Sequence, residues 1–252
     1  MSVLTQRFDA VCERITRAAE RSGRSAGAVR LVAISKLQGA DRVAELASYW
    51  EKFAKPAGIP VFGENYVQEA MAKKAEVTAK LPELSLEWHF TGHIQSRKSR
   101  DVVGAFALLH AVDSLGVAQA LEKAWQNRLR ESPAGWREPP PCPQAVLAQV
   151  NIGRERQKSG IDPDRLEELI VGLAGMSALR AQGLMCIPPQ TESLEASRPY
   201  FALLRQLRDS VSKACGVPLP HLSMGMSGDF EAAIEEGATL VRIGTAIFGA
   251  RL

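Results

Sequence analysis

The sequence has no marked excess of either charge. Thirty-one basic side chains stand against 28 acidic ones, leaving a formal net charge of +3. This argues against a nucleic-acid or membrane-surface partner, both of which select for a cationic surplus. Cysteine is scarce: Cys12, Cys142, Cys186 and Cys215 lie far apart and form no CxxC pair. That spacing argues against a zinc ribbon or a redox motif and for reduced thiols. The four histidines, His89, His93, His110 and His221, form no HxH or HExxH pattern, so a metal site is not expected. No GxGxxG follows the first apolar run, which argues against a dinucleotide fold. No stretch approaches the roughly 18 apolar residues of a membrane span. The N-terminal MSVLTQRFDAVCERITR carries charge throughout and lacks the apolar segment of a secretion signal. A soluble, cytoplasmic protein is the expectation.

What is present is an alternation. Leu4, Phe8, Val11, Ile15, Ala18 and Ala19 recur at helical spacing, predicting an amphipathic N-terminal helix closed near Gly23. Short apolar runs follow at about Val29–Ser35, Val61–Gly63, Leu86–Phe90, Leu108–Val112, Ala145–Val150, Leu179–Ile187, His221–Met224 and Thr239–Ile243, each reading as a buried strand. Helical patterns separate them. Asp41, Asp113-Ser114, Asp162-Pro163 and Asp229 are the expected helix starts. The Pro-dense stretch 131–144 reads as a surface loop. Eight strand–helix units force parallel pairing, and at 252 residues they predict one (β/α)₈ barrel domain over 1–252 with an extra N-terminal helix. A doubly wound open sheet is the alternative.

The functional face of such a barrel lies at the C-terminal ends of its strands. That rule collects Lys36, Glu64, Asn65, Tyr66, His89, His93, Asp113, Asn151, Met185, Pro188, Met226, Ser227, Arg242, Gly244 and Thr245 from distant parts of the chain. The turns after strands 7 and 8, with Gly225, Ser227 and Gly228 and then Gly244-Thr245, suit a phosphate, because glycines admit close backbone approach and hydroxyls donate. Opposite them, Lys36 ends the run LVAISK. A lysine facing a phosphate site suggests a Schiff base with a phosphorylated carbonyl compound. Arg242, between Val241 and Ile243, is expected inside the barrel. Arg97, Lys98 and Arg100 form a basic cluster, read as a solvated face or a second anion site.

Several stretches together resemble the pyridoxal 5′-phosphate (PLP) homeostasis proteins: LVAISK, FGENYVQE (62–69), WHFTGHIQSRK (88–98), QKSG (157–160), GLMCIPP (183–189), SMGMSGDFEAAI (223–234) and VRIGTAIFGAR (241–251). The resemblance spans nearly the whole chain. It implies an alanine-racemase-like barrel without the racemase β domain, a PLP-binding role in vitamin B6 balance rather than turnover, and a monomer that exchanges cofactor with apo PLP-dependent enzymes. An amino-acid racemase or related PLP enzyme is the alternative activity. Carried over by motif, Lys36 is implied as the Schiff-base lysine, Ser227, Gly244 and Thr245 as phosphate ligands, and Arg242 as the cation facing the pyridine nitrogen. Asn65 and Met226 are implied as lining the pocket. Thr91, His93, Ile94 and Arg97 depart from the family pattern after WHF.

Overall fold

Eight parallel strands close on themselves in chain order in the computed structural model, which describes residues 1–53, 58–131, 143–190 and 194–250. They are β1 (Arg30–Ile34), β2 (Val61–Glu64), β3 (Glu87–Phe90), β4 (Leu108–Val112), β5 (Gln144–Val150), β6 (Leu179–Cys186), β7 (His221–Ser223) and β8 (Leu240–Ile243). The closing pair is β1 with β8, registered Arg30 to Leu240 through Ala33 to Ile243. The helices are α1 (Val3–Arg21), α2 (Ala40–Phe53), α3 (Val67–Lys80), α4 (Ser99–Val102), α5 (Leu115–Glu131), α6 (Leu166–Ala174), α7 (Leu194–Cys215), α8 (Phe230–Glu235) and α9 (Thr245–Phe248). The barrel and its extra N-terminal helix are thus as expected, and the open sheet is set aside. The Pro-dense stretch falls mostly on 132–142, outside the described residues, as does Cys142.

Apolar faces hold the layers together. Leu4, Phe8, Val11 and Ile15 of α1 are buried, each contributing about 1.5–3 kcal/mol on leaving water. An aromatic line runs inward from α1: Phe8 to Trp50 at 4.9 Å between ring centres, Trp50 to Phe62 at 6.4 Å and Phe62 to Trp88 at 5.3 Å. Phe62 and Trp88 are register partners on neighbouring strands and face outward to the helices. Their neighbours Gly63 and His89, also paired, therefore face the barrel interior.

That interior is unusually polar. Barrels normally fill it with Val, Ile and Leu. Here strand alternation turns Glu87 and His89 of β3, His110 of β4, His221 and Ser223 of β7 and Arg242 of β8 inward, with Val32, Ile34, Leu108 and Leu240 among them. Buried polar groups survive only when hydrogen-bonded, and these are bonded to one another.

Two helix starts, at Asp41 and Asp229, differ in detail from the sequence expectation. Asp41 sits in the first turn of α2 and pairs with Lys80 at 2.8 Å. Ser114, rather than Asp113, caps α5 by accepting from the Val117 N–H at 3.3 Å. Asp229 precedes α8, but its carboxylate accepts from the Met226 N–H at 2.6 Å and so closes the preceding loop instead of capping the helix. Asp162 caps its turn as expected, accepting from Asp164 N–H.

Candidate functional site

Because all strands are parallel, their C-terminal ends and the loops after them share one mouth. β1 lies between β8 and β2, so Lys36 enters that mouth between the loops of Gly244–Thr245 and Asn65. The Ser35 N–H still bonds to Gly63 O at 3.0 Å, extending the ladder to the residue before the lysine. Lys36 itself is partly buried.

The turn carrying Lys36 is held from behind by a buried ionic cluster. Ser35 is fully buried and donates from Oγ to Glu64 Oε1 at 2.7 Å. Lys73 of α3 donates from Nζ to the Ser35 carbonyl at 2.7 Å, to Glu64 Oε1 at 2.7 Å and to Glu69 Oε1 at 2.8 Å. Glu69 also accepts from the Leu37 N–H at 2.6 Å. Leu37 adopts φ +62°, a left-handed conformation unfavourable for a branched side chain. The residues on both sides of Lys36 are therefore pinned by the same carboxylates and ammonium. Burial pushes the Glu64 carboxyl up, against the opposing pull of Lys73 and Ser35. Glu64 was expected at the mouth. Strand alternation instead turns it outward, opposite to Gly63, into the layer between barrel and helices. Tyr66 lies exposed before α3.

On the other side of Lys36 the two Gly-rich turns meet. The Ser227 hydroxyl accepts from the Ala246 N–H at 3.1 Å, joining the loop after β7 to the first turn of α9. Gly244 stands immediately before that turn and packs against Ile34, its missing Cβ position lying 3.3 Å from Ile34 O. Thr245 and Met226 are exposed, and Ser227 is half-buried. The short helix α9 completes the eighth strand–helix unit. Asn65 accepts at Oδ1 from the Thr91 hydroxyl at 2.9 Å. Gly92 lies so close that a Cβ there would stand 2.3 Å from Asn65 O.

Arg242 is buried in the barrel interior, as expected from its flanking residues. It donates from Nη1 to Ser223 Oγ at 2.8 Å and from Nη2 to Cys186 O at 2.9 Å. Ser223 Oγ lies 2.9 Å from His110 Nδ1, His110 Nε2 lies 3.0 Å from His89 Nδ1, and His89 Nε2 lies 2.7 Å from Glu87 Oε1. Arg30 closes the line with two bonds to Glu87, at 3.0 and 2.6 Å. Burial works to raise the Glu87 carboxyl, but the bonds from His89 and Arg30 prevail and hold it down to about 2. Burial pushes His89, His110 and His221 down. Glu87, His110 and Ser223 were missed as participants, because their contacts cross the barrel. The i, i+2 spacing of Glu87 and His89 on one strand was the available signal.

The other candidates line the rim or serve their own loops. His93 contacts Asp113 at 3.5 Å and Ser159 at 3.2 Å. Asn151 bonds to Glu155 through both ends of its amide. Lys158 of the QKSG stretch, not singled out beforehand, donates to the Pro188 carbonyl at 2.9 Å and ties the loops after β5 and β6 together. Arg97 bonds to Gln95, and Lys98 contacts Asp101 at 3.6 Å, as on a solvated turn. Among the described residues no group of three His, Cys, Asp or Glu could hold a metal. No helix among them is long and apolar enough to cross a membrane.

The buried imidazoles make acid sensitivity a direct expectation. Burial, partial for His221, disfavours the charged form of all three in the fold, whereas the unfolded chain takes up protons below their ordinary value of 6.5. Their stabilising contribution is present above that value and is lost as pH falls, by up to about 1.4 kcal/mol per histidine per pH unit. Glu64 and Asp229, both pushed up by burial, oppose this. The urea midpoint should therefore fall from about pH 7.5 to about pH 5.5, and a level midpoint would contradict the downward push on these imidazoles.

Comparison with known proteins gives this geometry a lineage. The family model for the alanine racemase N-terminal domain matches residues 7–252. The pyridoxal phosphate homeostasis protein of Aquifex aeolicus is 41% identical over 247 residues, covering 98% of this chain and 97% of the relative. That of Pseudomonas aeruginosa is 42% identical over 251 residues, covering 100% and 97%. The chain belongs to the pyridoxal phosphate homeostasis protein family. Within structural space, PipY of Synechococcus elongatus, solved with PLP bound, superposes with a TM-score of 0.72 at 34% identity, covering 95% of this chain and 100% of PipY. Alanine racemase from Corynebacterium glutamicum, at 18% identity and a TM-score of 0.59, covers 96% of this chain and 61% of the racemase. That likeness is one of fold. The homeostasis family thus uses the racemase-type barrel.

Proposed function

We propose that this chain binds PLP at the barrel mouth, holds its aldehyde as a Schiff base on Lys36, and serves intracellular PLP balance as a carrier rather than as a turnover enzyme. The observation that carries the reading is the amine of Lys36 on a rigidly pinned turn, in the same mouth as the joined turns of Ser227 and Gly244–Thr245. The donor set fits the group. Backbone N–H groups and hydroxyls suit a phosphate, and a fixed amine suits an aldehyde. When bound, PLP supplies an aldehyde that condenses with an amine and a ring that withdraws electrons. Ser227, Gly244 and Thr245 are assigned to hold the phosphate, Arg242 to face the ring nitrogen, and Asn65 and Met226 to line the ring. A guanidinium there donates a hydrogen bond but gives up no proton, so the ring stays a weaker electron sink than one paired with a carboxylate.

The carrier reading is supported by the names of the relatives and by the tyrosines. The Tyr49 hydroxyl is engaged by Asp9 at 2.6 Å among the outer helices, and Tyr200 lies on α7. Both belong to the outer helix layer, and the third tyrosine, Tyr66, stands exposed before α3. The proposed state is a monomer that exchanges PLP with apo-enzymes.

Titration with PLP tests the reading. The protein should gain the visible absorption band of an imine at one equivalent. Lys36→Ala should bind PLP without that band, through the phosphate turns. A wild-type protein that gains no band would overturn the proposal. Racemisation of any member of a panel of L-amino acids would overturn the carrier assignment.

A further inference from the structure

Arg242 is a buried cation whose immediate partners are neutral, a hydroxyl and a carbonyl. What orients those partners follows from the hydrogen bonds across the barrel. The far end is unambiguous. Glu87 is ionised and receives both Arg30 bonds, so it only accepts. His89 Nε2, at 2.7 Å from its Oε1, must carry a hydrogen. A neutral imidazole has one hydrogen, so His89 Nδ1 is an acceptor. His110 Nε2, 3.0 Å away, must then donate to it, which leaves His110 Nδ1 an acceptor. The Ser223 hydroxyl, at 2.9 Å, donates there. Its oxygen is left to accept from Arg242 Nη1 at 2.8 Å. The reverse direction would set bare His89 Nε2 against a carboxylate oxygen, two acceptors at bonding distance.

We infer that this one-directional chain, Arg242 to Ser223 to His110 to His89 to Glu87, fixes the Ser223 oxygen as an acceptor and makes Ser223 a positioning residue for the guanidinium that faces the bound cofactor. Ser223, His110 and His89 each use their single hydrogen, so the arrangement has one state. It runs from Arg242 to Arg30 and Glu87, the first residues of β1 and β3, and thus joins the cofactor side of the barrel to its opposite end. The role of Ser223 rests on the PLP reading above; the direction of the chain does not.

The test has two arms. In the protein without cofactor, ¹⁵N NMR should find His89 and His110 both as Nε2–H tautomers. A protonated ring, or an Nδ1–H tautomer at either residue, overturns the chain whether or not PLP binds. In the second arm PLP is titrated into wild type, Ser223→Ala and Ser223→Thr. Loss of the hydroxyl should weaken PLP binding about tenfold, the scale of one charge-assisted bond, and shift the absorption maximum of the Lys36 adduct. Ser223→Thr, which restores a hydroxyl, should recover both. Unchanged affinity and spectrum in Ser223→Ala overturn the positioning role. Failure of the wild-type protein to bind PLP, with the tautomers as expected, faults the cofactor reading and with it the role of Ser223, while the chain itself stands.

Discussion

Lys73→Met is expected to lower the unfolding free energy by about 3 kcal/mol or more and to loosen the turn that presents Lys36. Its ammonium is 5% exposed and serves Ser35 O, Glu64 Oε1 and Glu69 Oε1 together. Glu64 is fully buried, and its second oxygen already lacks a partner. Removing the cation leaves a carboxylate in an apolar layer, a change that typically costs about 3–5 kcal/mol. Glu64 limits the loss by taking up a proton, the direction in which burial already pushes it. The double substitution Lys73→Met with Glu64→Met should regain much of the loss, because buried pairs replaced by apolar groups are often neutral. Urea unfolding of both variants checks this. A loss below about 1 kcal/mol for the single variant would show that the cluster does not hold the turn.

Gly225→Ala should act from the opposite side of the mouth. Gly225 adopts φ +90°, and a Cβ there would lie 2.6 Å from Ala233 Cβ and 2.8 Å from Phe230 Cα. Backbone strain contributes about 1–2 kcal/mol and overpacking about 1–3 kcal/mol, for an expected destabilisation of about 2–4 kcal/mol. The effect reaches the site because Gly225 O accepts from the Arg242 N–H at 3.0 Å and the next residues lead to Ser227. PLP binding should weaken by at least about tenfold even at temperatures where the variant stays folded. Thermal unfolding and a PLP titration together separate the two effects. Full affinity in the variant would dissociate this turn from the proposed phosphate site.

These two substitutions also mark what the sequence could and could not reveal. The barrel was legible because each strand is a short apolar run and each helix an amphipathic one, and alternation leaves few topologies. Arg242 was legible as an interior residue from Val241 and Ile243 alone. Glu64 was not: it stands next to Asn65 in sequence, and only the strand register, with Gly63 inward, shows it facing Lys73. The pairing of Ser227 with Ala246 and the line from Arg242 to Glu87 were hidden for a related reason. Their members come from separate strands and loops, and sequence spacing carries no information on which residues meet across a closed barrel. His110 and Ser223 read only as members of two expected strands, and it is barrel closure that brings them within 2.9 Å. Asp229 shows the same limit at short range, since a carboxylate before a helix can cap it or close the loop behind it.

The central claim is that Lys36 is the amine that holds the cofactor. Borohydride reduction of the PLP-treated protein, followed by proteolysis and peptide mass mapping, tests it directly. A single pyridoxyl-phosphate adduct at Lys36 is expected, present in wild type and missing in Lys36→Ala. An adduct located at Lys158 or another lysine, with Lys36 unmodified, would contradict it.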